Sequence, residues 1–396
     1  MKHAFGELDL LDAALHQEPW PLYTWMREES PIYQDSRGYW YVTRYEDIVR
    51  VARNPKTFTS VQGNRPGLPA DQSFIHLDGH EHKLRRGLVR EWFSPKAMRR
   101  YETHIRDITT SLIDEIIESG KTDFVADIAK PLPARLMCEL TGIPIDMAPM
   151  VADWLDVFTH AGQSEEHVTE AVNDAFFSFG LMHMDLVELR RAEPKDDLIS
   201  LWVHAEVDGK PLNEDQLLFE HTMIMVGGSE TSRNAISGGM YMLQKYPEQR
   251  QHLIDNPKNM ANAVEEIIRW TTPFTSMSRV TTEDVTFHGH SIPAGSTIVM
   301  MYPPANRDPR VFPDPETFDI RRQLRRSQIA FGYGRHFCIG APLARLECRV
   351  VFEEVLKRMP DWRLDGEADF VFTSFVRGLQ KLELSFTPGT RAAGAM

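Results

Sequence analysis

The sequence predicts a mainly α-helical protein with a minor β component, and three observations support this class. Helical periodicity dominates the chain from about residue 97 to about residue 271. Neither an internal repeat nor a low-complexity linker divides the 396 residues, which predicts a single domain over residues 1–396. Strand-like alternation with turn residues is confined to three stretches, at about residues 30–75, 275–305 and 365–390.

Composition and charge limit the functions that this protein can have. The net charge of −13 disfavours nucleic-acid binding, and 42% hydrophobic residues can build a core that encloses a sizeable ligand. The N-terminal "MKHAFGELDLLDAALHQ" has no uninterrupted apolar core, and no later run reaches the ~20 apolar residues of a membrane span. Three cysteines, Cys138, Cys338 and Cys348, are too few for a disulfide scaffold. We therefore expect a cytoplasmic protein that binds neither nucleic acid nor membrane.

The first elements are a strand and two helices. Residues 39–43, "YWYVT", predict a strand, and "RYEDIVRVARN" directly after it predicts a helix. Residues 97–119 predict a long amphipathic helix. Further helical patterns follow, separated by the breaks "KPLPARL", "GIPIDMAP" and "VDGKPLN".

The longest helical pattern is the proline-free run from Leu212 to Tyr246. Asn213, followed three residues later by Gln216, predicts an N-cap with a capping box. Charged residues inside the run exclude a membrane span.

The middle of this run contains Gly227 and Gly228, which weaken a helix by roughly 1 kcal/mol each. An acid and an alcohol, Glu230 and Thr231, follow at once. Two explanations of this pattern remain equally open. The glycines could serve helix packing while the glutamate is solvated, or the segment could lie beside a bound ligand.

Strand alternation with turn signals returns in "SRVTTEDVTFHGHSIPAGSTIVMMY", before a coil rich in Pro and Asp. The segment "FGYGRHFCIG", residues 331–340, comes next and precedes a helix over 342–359. Cys338 then lies just ahead of a helix N-terminus, where backbone N–H groups favour a thiolate. A thiolate among glycines suits iron ligation, whereas burial as a small hydrophobe is the usual state of a free cysteine and our expectation for Cys138 and Cys348.

This segment resembles the haem-binding signature of the cytochromes P-450, F-x-x-G-x-x-x-C-x-G, at Phe331, Gly334, Cys338 and Gly340. The resemblance covers roughly residues 10–386. It implies haem b buried between the long central helix and the cysteine loop, with the Cys338 thiolate as axial iron ligand. It also implies that Phe331 packs near the sulfur and that His336 reaches a haem propionate.

The long helix is similar to the family's central helix, which carries A/G-G-x-D/E-T. Gly227, Gly228, Glu230 and Thr231 match it, and the resemblance implies that the acid and the alcohol deliver protons to dioxygen. The segment "GGSETSRNAISGGM", residues 227–240, is similar to the corresponding segment of bacterial sterol side-chain hydroxylases.

"VEEIIRW" places Glu266 and Arg269 three residues apart, on one helix face. In this order along the chain the pair resembles the family's structural E-x-x-R. The family often has an arginine where Thr317 stands, so the sequence leaves the three-way network open, with Arg321 or Arg322 as substitutes.

Three more basic residues stand where the family places haem propionate ligands. His82 and Arg86 are four apart on one predicted helix, and Arg279 begins a predicted strand. A guanidinium fork matches a carboxylate in shape, although surface charge is the default role of each residue.

The resemblance implies a monooxygenase that inserts one atom of O2 into a C–H bond of a steroid, terpenoid, fatty acid or polyketide-like molecule. The chain carries no flavin or iron–sulfur segment, so ferredoxin and ferredoxin reductase are the expected electron donors, and we expect a monomer. Four arginines in "RRQLRR", residues 321–326, with Lys83, Arg85 and Arg90, predict a basic face for an acidic ferredoxin, although a solvated charge run is equally consistent.

The resemblance also indicates an apolar substrate pocket with no clamp for a small charged acid. Its expected lining is the "FFSFGLM" helix region, Phe74, Ile75, Met223, Val226, Gly227, Phe274, Met277, Phe375 and Val376.

Two other classes remain open from sequence. A haem-binding sensor or carrier without chemistry would explain Cys338 and the propionate residues but not the Glu230–Thr231 pair. A non-haem cysteine enzyme would need a histidine near Cys338, for which His336 is the nearest candidate, but the glycines and arginines would then have no role.

Overall fold

The computed structural model describes residues 5–161, 169–323 and 325–392. Its α-helices, numbered in chain order, are α1 Trp20–Glu28, α2 Tyr45–Arg53, α3 Gly79–Val89, α4 Pro95–Ile116, α5 Pro131–Thr141, α6 Ala148–Ala161, α7 Glu170–Ala192, α8 Leu198–Val203, α9 Glu214–Lys245, α10 Pro247–Asp255, α11 Met260–Thr271, α12 Tyr302–Ala305 and α13 Ala341–Arg358.

The strands are short. They are β1 Ile32–Gln34, β2 Trp40–Val42, β3 Phe58–Thr59, β4 Lys121–Asp123, β5 Glu206–Val207, β6 Lys210–Pro211, β7 Ser276–Thr281, β8 Val285–Phe287, β9 His290–Ile292, β10 Thr297–Met301, β11 Arg363–Leu364, β12 Asp369–Phe372, β13 Arg377–Lys381 and β14 Glu383–Ser385. Helices hold 54% of the residues, so the prediction of a mainly α-helical protein with minor β is confirmed.

Helix α9 is the central element of the fold, with α5, α6, α11 and α13 packed around it. Its N-terminus carries the predicted capping box. The Asn213 side chain accepts from the Gln216 amide, and the Gln216 side chain accepts from the Asn213 amide. The α-helix continues unbroken across Gly227 and Gly228. Packing of α9 against α5, α6, α11 and α13 outweighs the weak local propensity of two glycines.

Further along α9, Gly239 allows two other helices to approach closely. A Cβ at this position would overlap the ring of Phe352 on α13 and would lie 2.9 Å from the side chain of Ile267 on α11. Glycine at position 239 therefore allows α13 to pack close to α9. Helix α13 is the one that follows the cysteine segment.

The largest sheet has the order β1-β2-β10-β7-β3, in which β2 and β10 run parallel and the other pairs antiparallel. Met277 and Arg279 belong to its strand β7. The β8–β9 hairpin turns through His288 and Gly289, both at positive φ, as a two-residue primed turn requires. Strand β4 and the β5–β6 hairpin were not predicted, because runs of two or three residues carry no readable alternation.

Within the described residues, no helix is both long enough and apolar enough to cross a membrane.

Candidate active site

A cavity of about 450 Å³ lies between the middle of α9 and the loop that precedes α13. Its wall includes Gly227 and Thr231 of α9, Cys338 and Gly340 of the cysteine loop, and aromatic and aliphatic side chains from several other helices, strands and coils. A cavity of this size, mostly apolar with a few polar groups, is the usual form of a small-molecule site.

The cysteine loop is a tight turn that points a sulfur into this cavity. The Cys338 amide donates to the Phe331 carbonyl at 2.8 Å, which closes the turn. Gly334 has φ +72°, and a Cβ there would meet the Ala52 carbonyl, so the loop packs on α2 only with glycine at this position. Cys138 and Cys348 are both buried in the core as expected, and Cys338 is accessible only because it faces the cavity.

The electrostatic environment of the Cys338 sulfur is mixed. Burial raises the pKa of the thiol, while the amides of Gly340 and Ala341 and the cation of Arg86 act in the opposite direction. A sulfur that receives two backbone N–H groups at the start of α13 is prepared to carry negative charge once a cation binds it.

Basic side chains collect beside the sulfur. Arg86, Arg279 and His336 line the cavity, and the ring of His82 lies 4.4 Å from that of His336. Burial lowers the pKa of His82 to about 4 and also lowers the pKa of His336, whose Nε2 lies 3.2 Å from Asp78 Oδ1.

These residues fit haem. The Nε2 atom of His82 is buried and has no hydrogen-bond partner among the described residues. Gly227 faces open space where a Cβ would have no neighbour within 4 Å, and a Cβ on Gly340 would lie 3.8 Å from Cys338 Sγ. A flat ligand with two carboxylates could therefore lie across Gly227, with its acids directed to Arg86, Arg279, His82 and His336.

The side chains of Glu230 and Thr231 point to different faces of α9. Thr231 lines the cavity, and its hydroxyl donates to the Gly227 carbonyl at 2.7 Å. Glu230 is buried on another face of the helix, where Arg233 Nη2 lies 2.7 Å from its Oε1 and Asn234 donates to the same oxygen. Successive helix positions are about 100° apart, which explains why only one of the two reaches the cavity.

Further ion pairs connect the Glu230–Arg233 pair to the protein surface. Arg233 also pairs with Asp156, Lys130 Nζ lies 2.6 Å from Asp156 Oδ2, and the same Nζ reaches the exposed Asp153 at 2.7 Å. This chain of charges joins a buried carboxylate to the surface.

Glu266 and Arg269 form the buried pair that the sequence predicted. Both side chains are at most 1% exposed, and the guanidinium binds the carboxylate through two 2.7 Å hydrogen bonds. Arg322 completes the network, with its Nε 3.1 Å from Glu266 Oε2, whereas Arg321 is exposed beside Asp319. Thr317 does not break the network, because its carbonyl accepts from Arg269 and Arg322.

Most of the expected pocket residues line the cavity, namely Phe74, Ile75, Met223, Val226, Gly227, Phe274 and Met277, with Phe176 from the "FFSFGLM" region. The prediction that Phe375 and Val376 line the pocket was wrong, since neither belongs to the lining found in the described chain. Phe375 stacks behind Phe274 at 4.6 Å, and Val376 forms a β-bridge with Phe274, so both support the wall from behind.

The cavity also has polar lining that the sequence did not indicate. Arg65, Asp71 and His76 come from the segment between β3 and α3, and Glu347 comes from α13. Arg65 is a charged group that the expected lining did not contain. A coil has no periodicity from which side-chain direction could be inferred.

The predicted basic face is smaller than expected. Arg85 is 2% exposed and pairs with the buried Glu220, and Arg322 belongs to the Glu266 network. Lys83, Arg90 and Arg325 are exposed as expected, and Arg326 is exposed but pairs with Glu46. Arg335, three residues before Cys338, is also exposed.

Known proteins resemble this chain over nearly its full length. A family model described as "Cytochrome P450" matches residues 151–360. The steroid C26-monooxygenase of Mycobacterium tuberculosis is 36% identical over 392 residues, which cover 96% of this chain and 98% of that protein. The methyl-branched lipid omega-hydroxylase of Mycobacterium bovis is 33% identical over 386 residues, covering 95% and 90%. The crystal structure of CYP109E1 from Bacillus megaterium in complex with testosterone has a TM-score of 0.87 at 29% identity, covering 94% of this chain and 99% of that one.

The helical fold and the cavity that a single cysteine faces fit a haem-dependent oxygenase. The chain belongs to the cytochrome P450 family. It is a monooxygenase that binds haem b and acts with O2 on hydrophobic substrates. The sensor or carrier and the non-haem cysteine enzyme are therefore set aside.

Proposed function

We propose that this monooxygenase hydroxylates the chain end of a steroid or methyl-branched lipid, with Cys338 as the haem iron ligand. One observation carries the proposal: the Cys338 sulfur and the Thr231 hydroxyl face the same, mostly apolar cavity. When bound there, haem supplies the activation of O2 that a C–H bond requires.

Each basic residue near the sulfur has a part in holding the cofactor. Arg86, Arg279 and His336 line the cavity and would bind the propionates, and His82 would use its buried Nε2 in the same way. These four side chains come from α3, β7 and the cysteine loop, so they fix the cofactor relative to three separate parts of the fold.

Protons would pass through two residues with separate tasks. Thr231 holds a hydroxyl at the cavity wall, where it can donate to an oxygen beside the iron. Glu230 would take protons from water and pass them to the cavity side of α9 through a change of side-chain rotamer, while the Arg233–Asp156–Lys130 chain holds its carboxylate in place. Gly227 leaves room near Thr231 for water and oxygen, since a Cβ at this position would meet nothing within 4 Å.

The substrate class follows from the lining and from the relatives. Phe74, Phe176, Phe274 and Met223 give aromatic and flexible apolar contacts that suit a sterol or a branched alkyl chain. One relative is named for oxidation at steroid C26 and another for the ω-position of a methyl-branched lipid. Both names describe the end of an alkyl chain, so we propose the same regiochemistry for this chain.

Electrons would come from a ferredoxin and its reductase. The exposed cations Lys83, Arg90, Arg325 and Arg335 lie in α3, directly after α3, before the cysteine loop and within it, and they could attract an acidic ferredoxin. We also propose a monomer that acts in the cytoplasm, where a reducing environment keeps Cys338 available for iron.

The test combines a spectrum with product analysis. The reduced protein under carbon monoxide should show the red-shifted Soret band of thiolate-bound haem, and Cys338→Ser should lose it. A steroid with a branched side chain should shift the iron spin state and give a chain-end alcohol by mass spectrometry. Thr231→Ala should lower product formation about 100-fold while O2 consumption continues, and Thr231→Ser should retain product. Oxidation confined to ring carbons would contradict the regiochemistry, and persistence of the red-shifted band in Cys338→Ser would contradict the ligand.

A further inference from the structure

A buried ion pair lies next to the cavity without lining it. Glu220 of α9 and Arg85 of α3 are 1% and 2% exposed, and Arg85 Nη2 contacts Glu220 Oε1. Phe219 and Thr222, the neighbours of Glu220 along α9, line the cavity. Neither charge of the pair belongs to the proposed haem contacts or to the proposed proton steps.

The same carboxylate oxygen also holds the backbone of Phe74. The Phe74 amide donates to Glu220 Oε1 at 3.1 Å, across 146 positions of the chain. Phe74 begins the single 3-10 turn Phe74–His76, and a first N–H of this kind has no acceptor within its own turn. The Phe74 side chain lines the cavity, and its ring lies edge-on to that of His82, with 6.2 Å between the centroids. Glu220 therefore acts on the cavity through the backbone of a residue in its wall.

The pair is poorly arranged for stability alone. The Oε2 atom of Glu220 and the Nε atom of Arg85 are buried, and neither has a hydrogen-bond partner among the described residues. The second acid near Arg85 is the half-exposed Glu81, at 3.7 Å. Burying two charges costs free energy that such contacts offset only in part, and apolar residues of similar volume are often as stable. What the pair does provide is a fixed acceptor for the Phe74 amide.

We propose that Glu220 is a positioning residue that sets substrate selectivity by holding Phe74, and that Arg85 keeps Glu220 in the orientation this requires. The inference rests on the proposed lipid substrate and adds the residue that fixes one wall of its pocket. The segment around Phe74 is coil with one short turn, so its position depends on such contacts rather than on a regular element. A second contact to α9, from Gln72 Nε2 to Asp215 Oδ2 at 3.0 Å, is exposed, so Glu220 supplies the buried one.

The position of this wall matters most for a rigid substrate. A fused-ring steroid cannot change shape to follow a displaced Phe74, whereas a flexible acyl chain regains contacts by rotating its bonds. Loss of the Glu220 acceptor should therefore lower the affinity for a steroid about 10-fold, the ratio that one hydrogen bond to a charged group is worth. The affinity for an acyl chain should change by less than about threefold.

The experiment compares two proteins that differ only in the acceptor at position 220. Both carry Arg85→Met, which removes the buried cation. One adds Glu220→Gln, which keeps an oxygen for the Phe74 amide, and the other adds Glu220→Met, which has a similar length without that oxygen. Spin-state titration and thermal shift of the haem-loaded proteins use cholesterol as the rigid probe and hexadecanoic acid as the flexible one. Glu220→Leu replaces Glu220→Met if that protein fails to fold.

The acceptor should decide the result. The protein with Glu220→Gln should bind cholesterol within about threefold of wild type, and the protein with Glu220→Met about 10-fold more weakly than wild type. Both should bind hexadecanoic acid nearly as wild type does and should keep the thiolate-haem band.

Two controls separate positioning from a purely structural role. Arg358→Met breaks a largely buried pair with Asp114, between α13 and α4, and should lower the unfolding temperature without changing the preference for cholesterol over hexadecanoic acid. Phe74→Ala should lose that preference by itself. Glu220→Met should then lower it no further in the Phe74→Ala background, because the two changes act on the same contact.

The outcomes separate the two proposals. Equal cholesterol affinity of the proteins with Glu220→Gln and Glu220→Met, or equal losses for both probes, would overturn the role of Glu220 alone. Loss of the thiolate-haem band in a folded Glu220→Met protein would also overturn it, because the residue would then serve the cofactor. A wild type with a normal haem band that binds neither probe would contradict the lipid substrate and this inference together.

Discussion

The guanidinium of Arg322 lies against the carboxylate of Glu266, with its Nε 3.1 Å from Oε2 and 3.2 Å from Oε1. The two residues are 56 positions apart. Glu266 therefore receives two arginines, since Arg269 binds it from the same helix. The network ties α11 to the coil that leads to the cysteine loop, and it holds that coil through the carbonyls of Asp314, Pro315 and Thr317.

Removal of Arg322 should loosen the coil before the cysteine loop. Arg322→Met leaves Glu266 with one arginine and the Asp319 amide, and it frees the carbonyls that the Arg322 guanidinium binds. We expect a loss of about 3 kcal/mol in the free energy of unfolding, because breaking a buried ion pair typically costs that much. Urea denaturation and the rate of haem release measure it. The neighbouring exposed Arg321→Met is the control and should stay within about 0.5 kcal/mol. Equal effects in the two variants would contradict the network.

The two glycines of α9 should respond differently to alanine. A Cβ on Gly228 would lie 2.5 Å from Met137 Sδ, so Gly228→Ala should overpack the α5–α9 contact and cost about 1–3 kcal/mol in unfolding free energy. A Cβ on Gly227 meets nothing within 4 Å and projects toward the cavity. Gly227→Ala should therefore keep or raise helix stability but weaken ligand binding. Thermal denaturation and spin-state titration separate the effects, and a reversed order would show that the cavity does not extend to Gly227.

Glu347 should contribute a component of the stability that falls with rising pH. This carboxyl is buried in α13, accepts a 2.6 Å hydrogen bond from the Ser232 hydroxyl, and has a pKa raised to about 8 by burial. The folded state thus keeps a proton that the unfolded chain loses near pH 4.5. The free energy of unfolding contributed by this group therefore declines as pH rises from about 4.5 to about 8, and is flat outside that window.

Glu347→Gln should remove this component of the pH dependence and make the protein more stable than wild type at pH 8. Urea denaturation at pH 5, 6.5 and 8 measures the difference. The exposed Glu29→Gln provides a matched control that should leave the slope unchanged. A slope in Glu347→Gln identical to that of wild type would show that this carboxyl does not hold the proton.

The cations ahead of the cysteine loop should control reduction by an acidic ferredoxin. The double variant Arg325→Gln, Arg326→Gln removes two exposed charges, so the rate of reduction at low salt should fall several-fold and depend less on ionic strength. Stopped-flow absorbance of the carbon monoxide complex follows the rate. Lys121→Gln, on the remote strand β4, is the control. Unchanged rates across all salt concentrations would exclude this surface as the docking site.

The sequence by itself determined the features whose partners are close along the chain. The capping box of α9, the Glu266–Arg269 pair and the turn that joins Phe331 to Cys338 each span three to seven residues. A helical or turn geometry fixes such distances locally, so the pattern and the resemblance to a family were enough to predict them.

Tertiary structure alone decided which basic residues are buried, what they bind and which side chains reach the cavity. Arg321 and Arg322 are adjacent and chemically identical, yet one is in solvent and the other contacts Glu266. Arg85 belongs to a run of charges but pairs with Glu220 inside the protein, and Arg65 lies in a coil that carries no periodic signal. These outcomes depend on contacts between residues far apart in the chain, whose geometry is set by how helices and coils pack, and no local pattern of residues encodes it.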